Sequence, residues 1–404
     1  MQDTDPPPPA SPPWPVRLAN SLAASLESVG FPLLRFEPEE LRRLACKRAG
    51  LELEIDDPRE NEGLERLCTS LEQDAQLNLV GRMSLREHVV GALTTRLLLE
   101  HIRREEPARL EWQGPPPIVI VGLPRSGTTL LHRLLAEVPG HRALALWQVR
   151  YPLRGPGKDR RLAEARKQVQ TMRSIAPVLD TKHPIGPEDP EECGFLMDPS
   201  FLSVGYWIFA PATGYLDWLL EQDMTPAYRC WADLLAMQQA EHPEQRLLLE
   251  APAHCGYLAE LVAALPGARL IQLHREPETI AVSMSSLFHS FHAMMSANPD
   301  PRRLGAANLR LLETWLRRNS RARPALGDQL IELRYTDLLA DPLGTVRAIH
   351  DHHDLGWKPN WEPALQAWID AHPQDAAGPH RYRAETFGLT MDELRSRLAP
   401  LTDG

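Results

Sequence analysis

Lysine is nearly missing from this chain. Only five of the 44 basic residues in its 404 positions are lysines, and arginine supplies the rest. Positive charge is itself in deficit: 54 acidic residues leave a net charge of −10. General nucleic-acid binding requires a basic footprint, so the balance argues against it. A local basic pocket for one phosphate stays open. Cysteine is sparse too. Cys46, Cys68, Cys193, Cys230 and Cys255 are scattered, with no C-x-x-C pair. That excludes the usual zinc spacing and a disulfide framework, and it fits a reducing, cytoplasmic setting. No apolar run reaches 18 residues, so no membrane span is expected. The first residues, MQDTDPPPPASPPWP, lack the apolar segment of a secretory signal. Residues 1–15 read as a disordered, partly polyproline tail.

What is present centres on residues 116–136, PPIVIVGLPRSGTTLLHRLLA. Ile118 to Val121 is a continuous β-branched run, the pattern of a strand buried on both faces of a parallel sheet. Gly122-Leu-Pro-Arg-Ser-Gly127-Thr-Thr follows, and then an apolar helical pattern. Strand, glycine-punctuated loop and helix form an anion cradle, because backbone N–H groups converge in the loop and the helix N-terminus adds positive potential. The spacing is G-x-x-x-x-G-T-T. A nucleotide triphosphatase has lysine where Thr128 stands, and Arg125 is the only cation in this loop. The loop is therefore poorly suited to a magnesium-bound triphosphate. It suits a less charged group, such as a sulfuryl group bridged to one phosphate.

The remaining chain alternates strands and helices. Residues 16–113 read as a helical extension: Leu18, Leu22 and Leu26 recur at i+4, Pro38-Glu-Glu-Leu opens a helix, and Ser84 with Glu87 caps a longer one reaching His101. Further strands are expected at Arg246–Leu249, Arg269–His274 and Leu330–Tyr335. Residues 288–304, with His289 and His292, read as a loop and candidate lid. The fold expected is α/β: a three-layer αβα domain of P-loop type with a central parallel sheet over residues 114–404, carrying the N-terminal helical extension. Ligands of such sheets sit at the carboxyl ends of the strands. The loop after the first strand, His254 after the second and Arg275 after the third all fall there.

At the loop this sequence resembles the sulfotransferases that use 3′-phosphoadenosine 5′-phosphosulfate (PAPS), in particular the bacterial sulfotransferase family group, which carries P-R-S-G-T-T after a strand. Three further stretches resemble that family: the "PEEL…AxxxxGL" opening of the extension, the strand–His274-Arg275-x-Pro277–helix–Ser283 arrangement with eight residues from Arg275 to Ser283, and the late basic segment His380, Arg381, Tyr382, Arg383. The resemblance implies the following roles. The donor's phosphosulfate rests on the backbone of residues 124–129, with Ser126 and Gly127 in the loop and Thr128 and Thr129 donating hydroxyl hydrogen bonds. Arg125 neutralises charge on the bridging oxygen. Arg275 and Ser283 take the 3′-phosphate, Tyr335 lies near the adenine, and Arg381, Tyr382 and Arg383 close over the nucleotide. PAPS is then the donor substrate, and no metal is required.

Sulfuryl transfer to a hydroxyl (or amine) is an in-line displacement that needs a general base near the acceptor. Glu191 and Glu192, in a proline-rich loop before an aromatic stretch (Phe195, Phe201, Tyr206, Trp207, Phe209), are one choice, and His254 is the other. The related pattern at 249–254 reads L-K-S-P-x-H; here Glu250 replaces the lysine, which makes Glu250 a third candidate. The aromatic stretch suggests a small hydrophobic acceptor as the partner, and a homodimer is compatible with the sequence. The competing readings are a P-loop kinase or NTPase, and a nucleotide-binding protein with no transfer activity.

Overall fold

Residues 13–28, 34–52, 55, 57–175, 185–372 and 383–402 are described in the computed structural model. The tail expected at residues 1–15 therefore falls almost entirely outside the described residues. Among them, five strands form one sheet: β1 (Ile118–Gly122), β2 (His141–Ala143), β3 (Arg246–Glu250), β4 (Arg269–His274) and β5 (Leu330–Arg334). Their order is β2-β3-β1-β4-β5 and every neighbouring pair is parallel. β1 is fully buried, with Ile118 in register with Leu248 on one side and Arg269 on the other. Four strands fall where the apolar runs place them. β2 is new: it has three half-buried residues at the sheet edge, too few to show a period.

Alternation along the strands divides the core in two. Val119, Val121, Leu247, Leu249 and Leu270 face a large cluster that includes the helical extension. Ile118, Ile120, Leu248, Ile271 and Leu273 face a smaller one beneath α5 (Thr128–Ala136) and the helices Pro342–His352 and Glu362–Ala371. The extension consists of α1 (Trp14–Ser28), α2 (Pro38–Ala49), α3 (Pro58–Gln73) and α4 (Leu79–Glu105). Because it shares an apolar core with one sheet face, the line drawn at residue 113 does not divide that core.

Three local expectations change. In α1 the i+4 period holds but the face differs: Val16, Ala19, Asn20 and Ala23 turn inward, while Leu18 and Leu22 are exposed. The long helix starts at Leu79 rather than Ser84. Asn78 caps it by accepting from the Gly81 N–H at 2.9 Å, and it also donates to the Met294 carbonyl at 3.0 Å. Glu87 pairs with Arg48 at 2.6 Å instead of closing a capping box. The candidate lid at 288–304 is mostly helix. Pro277–Met295 occupies its first half, with Phe288, Phe291, Met294 and Met295 buried at helical spacing, and Pro301–Ala322 begins before its end. His292 is locked there, donating from Nε2 to the Trp207 carbonyl at 2.8 Å. No helix among the described residues is long and apolar enough to cross a membrane.

Candidate active site

The crevice opens where strand order reverses about β1, at the carboxyl ends of β1, β3, β4 and β5. β1 ends in Gly122, where a Cβ would lie 2.7 Å from Ser126 Oγ and 2.9 Å from the Leu273 carbonyl, so the loop folds tightly back over the strand. Arg125 sits at φ 70°, a left-handed conformation that costs a non-glycine residue roughly 1–3 kcal/mol. A specific contact holds it: Arg275 Nη1 donates to the Arg125 carbonyl at 2.7 Å. Gly127, at φ 95°, has the Tyr335 ring against it, and a Cβ there would come within 2.5 Å of that ring. The Arg275 guanidinium lies 4.6 Å from the centre of the same ring. The ends of β1, β4 and β5 are thereby tied into one unit.

This unit presents donors that suit an anion. α5 begins at Thr128, and its first backbone N–H groups have no partner within the helix. Ser126 Oγ is buried and finds no hydrogen-bond partner among the described residues. Arg125, Gly127, Thr128, Thr129, Arg275 and Tyr335 line one cavity of about 350 Å³. Tyr335 is the first residue of the helix Tyr335–Ala340 rather than the last of the strand. Ser283 does not line this cavity; it is half-buried on the helix Pro277–Met295. Of the late basic segment, Arg381 and Tyr382 lie outside the described residues, and Arg383 is exposed before the turn Ala384–Phe387.

The same cavity is lined by carboxylates. Leu144 accepts from the Glu191 N–H at 2.9 Å, and Glu191 Oε1 accepts from the Glu192 N–H at 3.0 Å. Glu191 and Glu192 both line the cavity. Burial, then Glu250, then Glu191, hold the Glu192 carboxyl well above the ordinary carboxylate range. Glu250 itself, the last residue of β3, is buried behind this wall. Beyond the carboxylates the walls turn apolar, with Phe195, Phe209, Phe288 and Phe291 among them.

His254 is a correction. It is fully buried and absent from the cavity wall. Its Nδ1 lies 2.8 Å from the Tyr228 hydroxyl and its Nε2 lies 3.2 Å from Cys193 Sγ. Burial pushes its pKa down to about 3. Both ring nitrogens are engaged inside the core, away from the cavity wall. The sequence reading also missed residues that do line the site: Arg150, Asp198, Tyr257 and Trp315. None belongs to a motif; they meet only through the fold of the segments after β2 and β3 and the helix Pro301–Ala322.

Comparison with known proteins gives consistent findings. The model of the Sulfotransferase family matches residues 116–359. The omega-hydroxy-beta-dihydromenaquinone-9 sulfotransferase Stf3 of Mycobacterium bovis is 24% identical over 307 residues, covering 69% of this chain and 71% of that protein. Among solved structures, sulfotransferase STF1 from Mycobacterium tuberculosis H37Rv aligns with a TM-score of 0.73 at 30% identity, covering 90% of this chain and 98% of that one. Sulfotransferase STF9 from Mycobacterium avium aligns with a TM-score of 0.80 at 24% identity, covering 92% and 96%.

Proposed function

This chain belongs to the sulfotransferase family, and from that premise we propose that it moves a sulfuryl group from PAPS to a hydroxyl of a small hydrophobic acceptor. Its reaction class is sulfuryl transfer. The donor, the acceptor and the residue roles are our reading. The supporting observation is one cavity lined together by the glycine loop, the carboxylates Glu191 and Glu192, and aromatic side chains.

The residues fit the donor. The loop N–H groups and the unpartnered Ser126 Oγ suit the 5′-phosphosulfate. Arg275, stacked on Tyr335, suits the 3′-phosphate, and Tyr335 itself suits the base. Bound there, PAPS supplies an electrophilic sulfur. Glu192 takes the proton of the acceptor hydroxyl as that oxygen bonds to sulfur. Arg125 and the α5 N-terminus receive the charge that collects on the phosphate oxygen as its bond to sulfur breaks. We assign the base to Glu192 rather than Glu191, because a Glu191 oxygen is already committed to the Glu192 N–H. Glu250 acts behind it: its negative charge raises the basicity of Glu192. The phenylalanines suit an apolar acceptor. The name of the Stf3 relative, which refers to an omega-hydroxy menaquinone derivative, supports a hydroxyl as the accepting group.

The test is calorimetric titration with adenosine 3′,5′-bisphosphate, beside magnesium-ATP. Tight binding of the bisphosphate alone is expected. A preference for magnesium-ATP would overturn the reading in favour of phosphoryl transfer. Bisphosphate binding without sulfation of any alcohol would leave a nucleotide-binding protein.

A further inference from the structure

A second cavity of about 690 Å³ lies behind the first, between α2, α4 and the helix Arg161–Ile175. The two share a wall that includes Arg150, Asp198, Met172, Phe195, Phe209 and Phe291. The rear cavity is largely apolar, lined by Leu44, Val90, Met294 and Met295 among others. The shared wall combines burial with charge. There His88 Nε2 lies 2.7 Å from Asp198 Oδ2, and Ser203 Oγ donates to Asp198 Oδ1 at 2.6 Å, so both carboxylate oxygens are served. Arg150 is not served in the same way. Its Nη1 lies 3.0 Å from the same His88 nitrogen and 3.7 Å from Asp198, the latter too long for a hydrogen bond. Burial, then the Arg150 charge, press the His88 pKa down, which keeps the ring neutral. A neutral His88 whose Nε2–H donates to Asp198 offers that nitrogen to no second donor. Arg150 Nε is buried without any partner. The Arg150 side chain is 11% exposed and lies 5.0 Å from the centre of the Phe195 ring. Its charge is balanced by Asp198 nearby, while its Nε–H donor is unspent.

We propose that Arg150 is an acceptor-recognition residue that donates to an uncharged oxygen of the acceptor, such as a carbonyl, set apart from the hydroxyl that is sulfated. The acceptor is then an elongated apolar molecule that crosses the shared wall and extends into the rear cavity. An uncharged oxygen is required because Asp198 already neutralises the guanidinium, and an anion would face that carboxylate unpaired. The inference rests on the sulfuryl-transfer reading of the front cavity.

Its test uses two probe series of matched length: n-alkanols and methyl esters of ω-hydroxy fatty acids, with the free ω-hydroxy acids as a third arm. Binding is measured by calorimetry with adenosine 3′,5′-bisphosphate present, so no turnover is needed. At the chain length that reaches Arg150, the ester is expected to bind about tenfold more tightly than the alkanol or the free acid. R150M should bring the ester-to-alkanol ratio to about one, and R150K should restore part of it. Gly91 lines the rear cavity with open space around the site of a Cβ, so G91L fits the helix and fills the cavity. It should remove the affinity gained with increasing chain length. Equal binding of ester and alkanol at every length in the parent protein would overturn the inference, even if R150M failed to fold. So would a preference for the free acid. Those results would leave the functional reading intact, provided the bisphosphate binds and alkanols are sulfated. Failure of the bisphosphate to bind would overturn the functional reading itself.

Discussion

Replacing Arg275 with alanine removes two things at once, and the structure separates them. One is the charge offered to the 3′-phosphate; a hydrogen bond to a charged group contributes about 2 kcal/mol. The other is the 2.7 Å bond that holds the Arg125 carbonyl in its left-handed turn, a net contribution of about 1 kcal/mol. Together they predict a rise in Kd on the order of a hundredfold for adenosine 3′,5′-bisphosphate. Adenosine 5′-phosphate lacks the 3′ group, so it should lose only the loop contribution, about fivefold. Calorimetry with both nucleotides on the parent and Arg275→Ala proteins measures the two effects separately. The reasoning fails if both nucleotides weaken by the same factor, because Arg275 would then act through the loop alone. It fails entirely if neither weakens.

Further expectations concern the carboxylate wall and the buried histidine. Glu192→Gln should abolish transfer while bisphosphate affinity stays near that of the parent; surviving turnover would move the base to Glu191 or elsewhere. A base works ionised, so activity should rise with pH through the elevated Glu192 pKa. Glu250→Gln removes one of the charges that elevate it and should shift that acid limb to lower pH. The same elevation means that ionising Glu192 opposes folding. Its stabilising contribution is full below the ordinary carboxylate range and is lost as pH rises through the folded value. Glu192→Gln should therefore melt above the parent protein at alkaline pH, read by a pH series of thermal scans. His254→Ala should cost about 2–4 kcal/mol of stability, since it leaves a cavity and strips partners from Tyr228 and Cys193. The folded fraction should keep its kcat, and loss of kcat in fully folded protein would return His254 to the reaction.

The central architecture was readable because its signals are local. β1, β3, β4 and β5 are short apolar runs, and the glycine loop after β1 has a geometry that its spacing dictates. Where the sequence misled, the deciding contact was distant. Asn78 took the helix start from Ser84 because it also donates to Met294, more than 200 residues away. The histidines at 289 and 292 suggested a mobile loop, yet the apolar residues between and beyond them, Phe288, Phe291, Met294 and Met295, carry the helical period and are buried. Arg150 gave no signal at all. Its meaning depends on Asp198 and His88, 48 residues ahead and 62 behind, meeting it between two cavities.

The general base shows the limit most clearly. Glu192 and His254 both follow stretches that end near the crevice, and residue type does not rank them. The segment after β3 is the turn Pro252–Gly256, a 3₁₀ helix with about three residues per turn. In so tight a turn, adjacent side chains point far apart. Ala253 lines the cavity, while the next residue, His254, enters the core between Tyr228 and Cys193. Had the chain continued as a strand, residues 250, 252 and 254 would share one face, and the histidine would stand beside Glu250. Instead the turn carries the imidazole out of reach and leaves Glu250 buried behind the carboxylates, where its charge acts on Glu192. The charge of Glu250 is what we propose makes Glu192 basic, and the shifted acid limb of Glu250→Gln is the consequence that tests it.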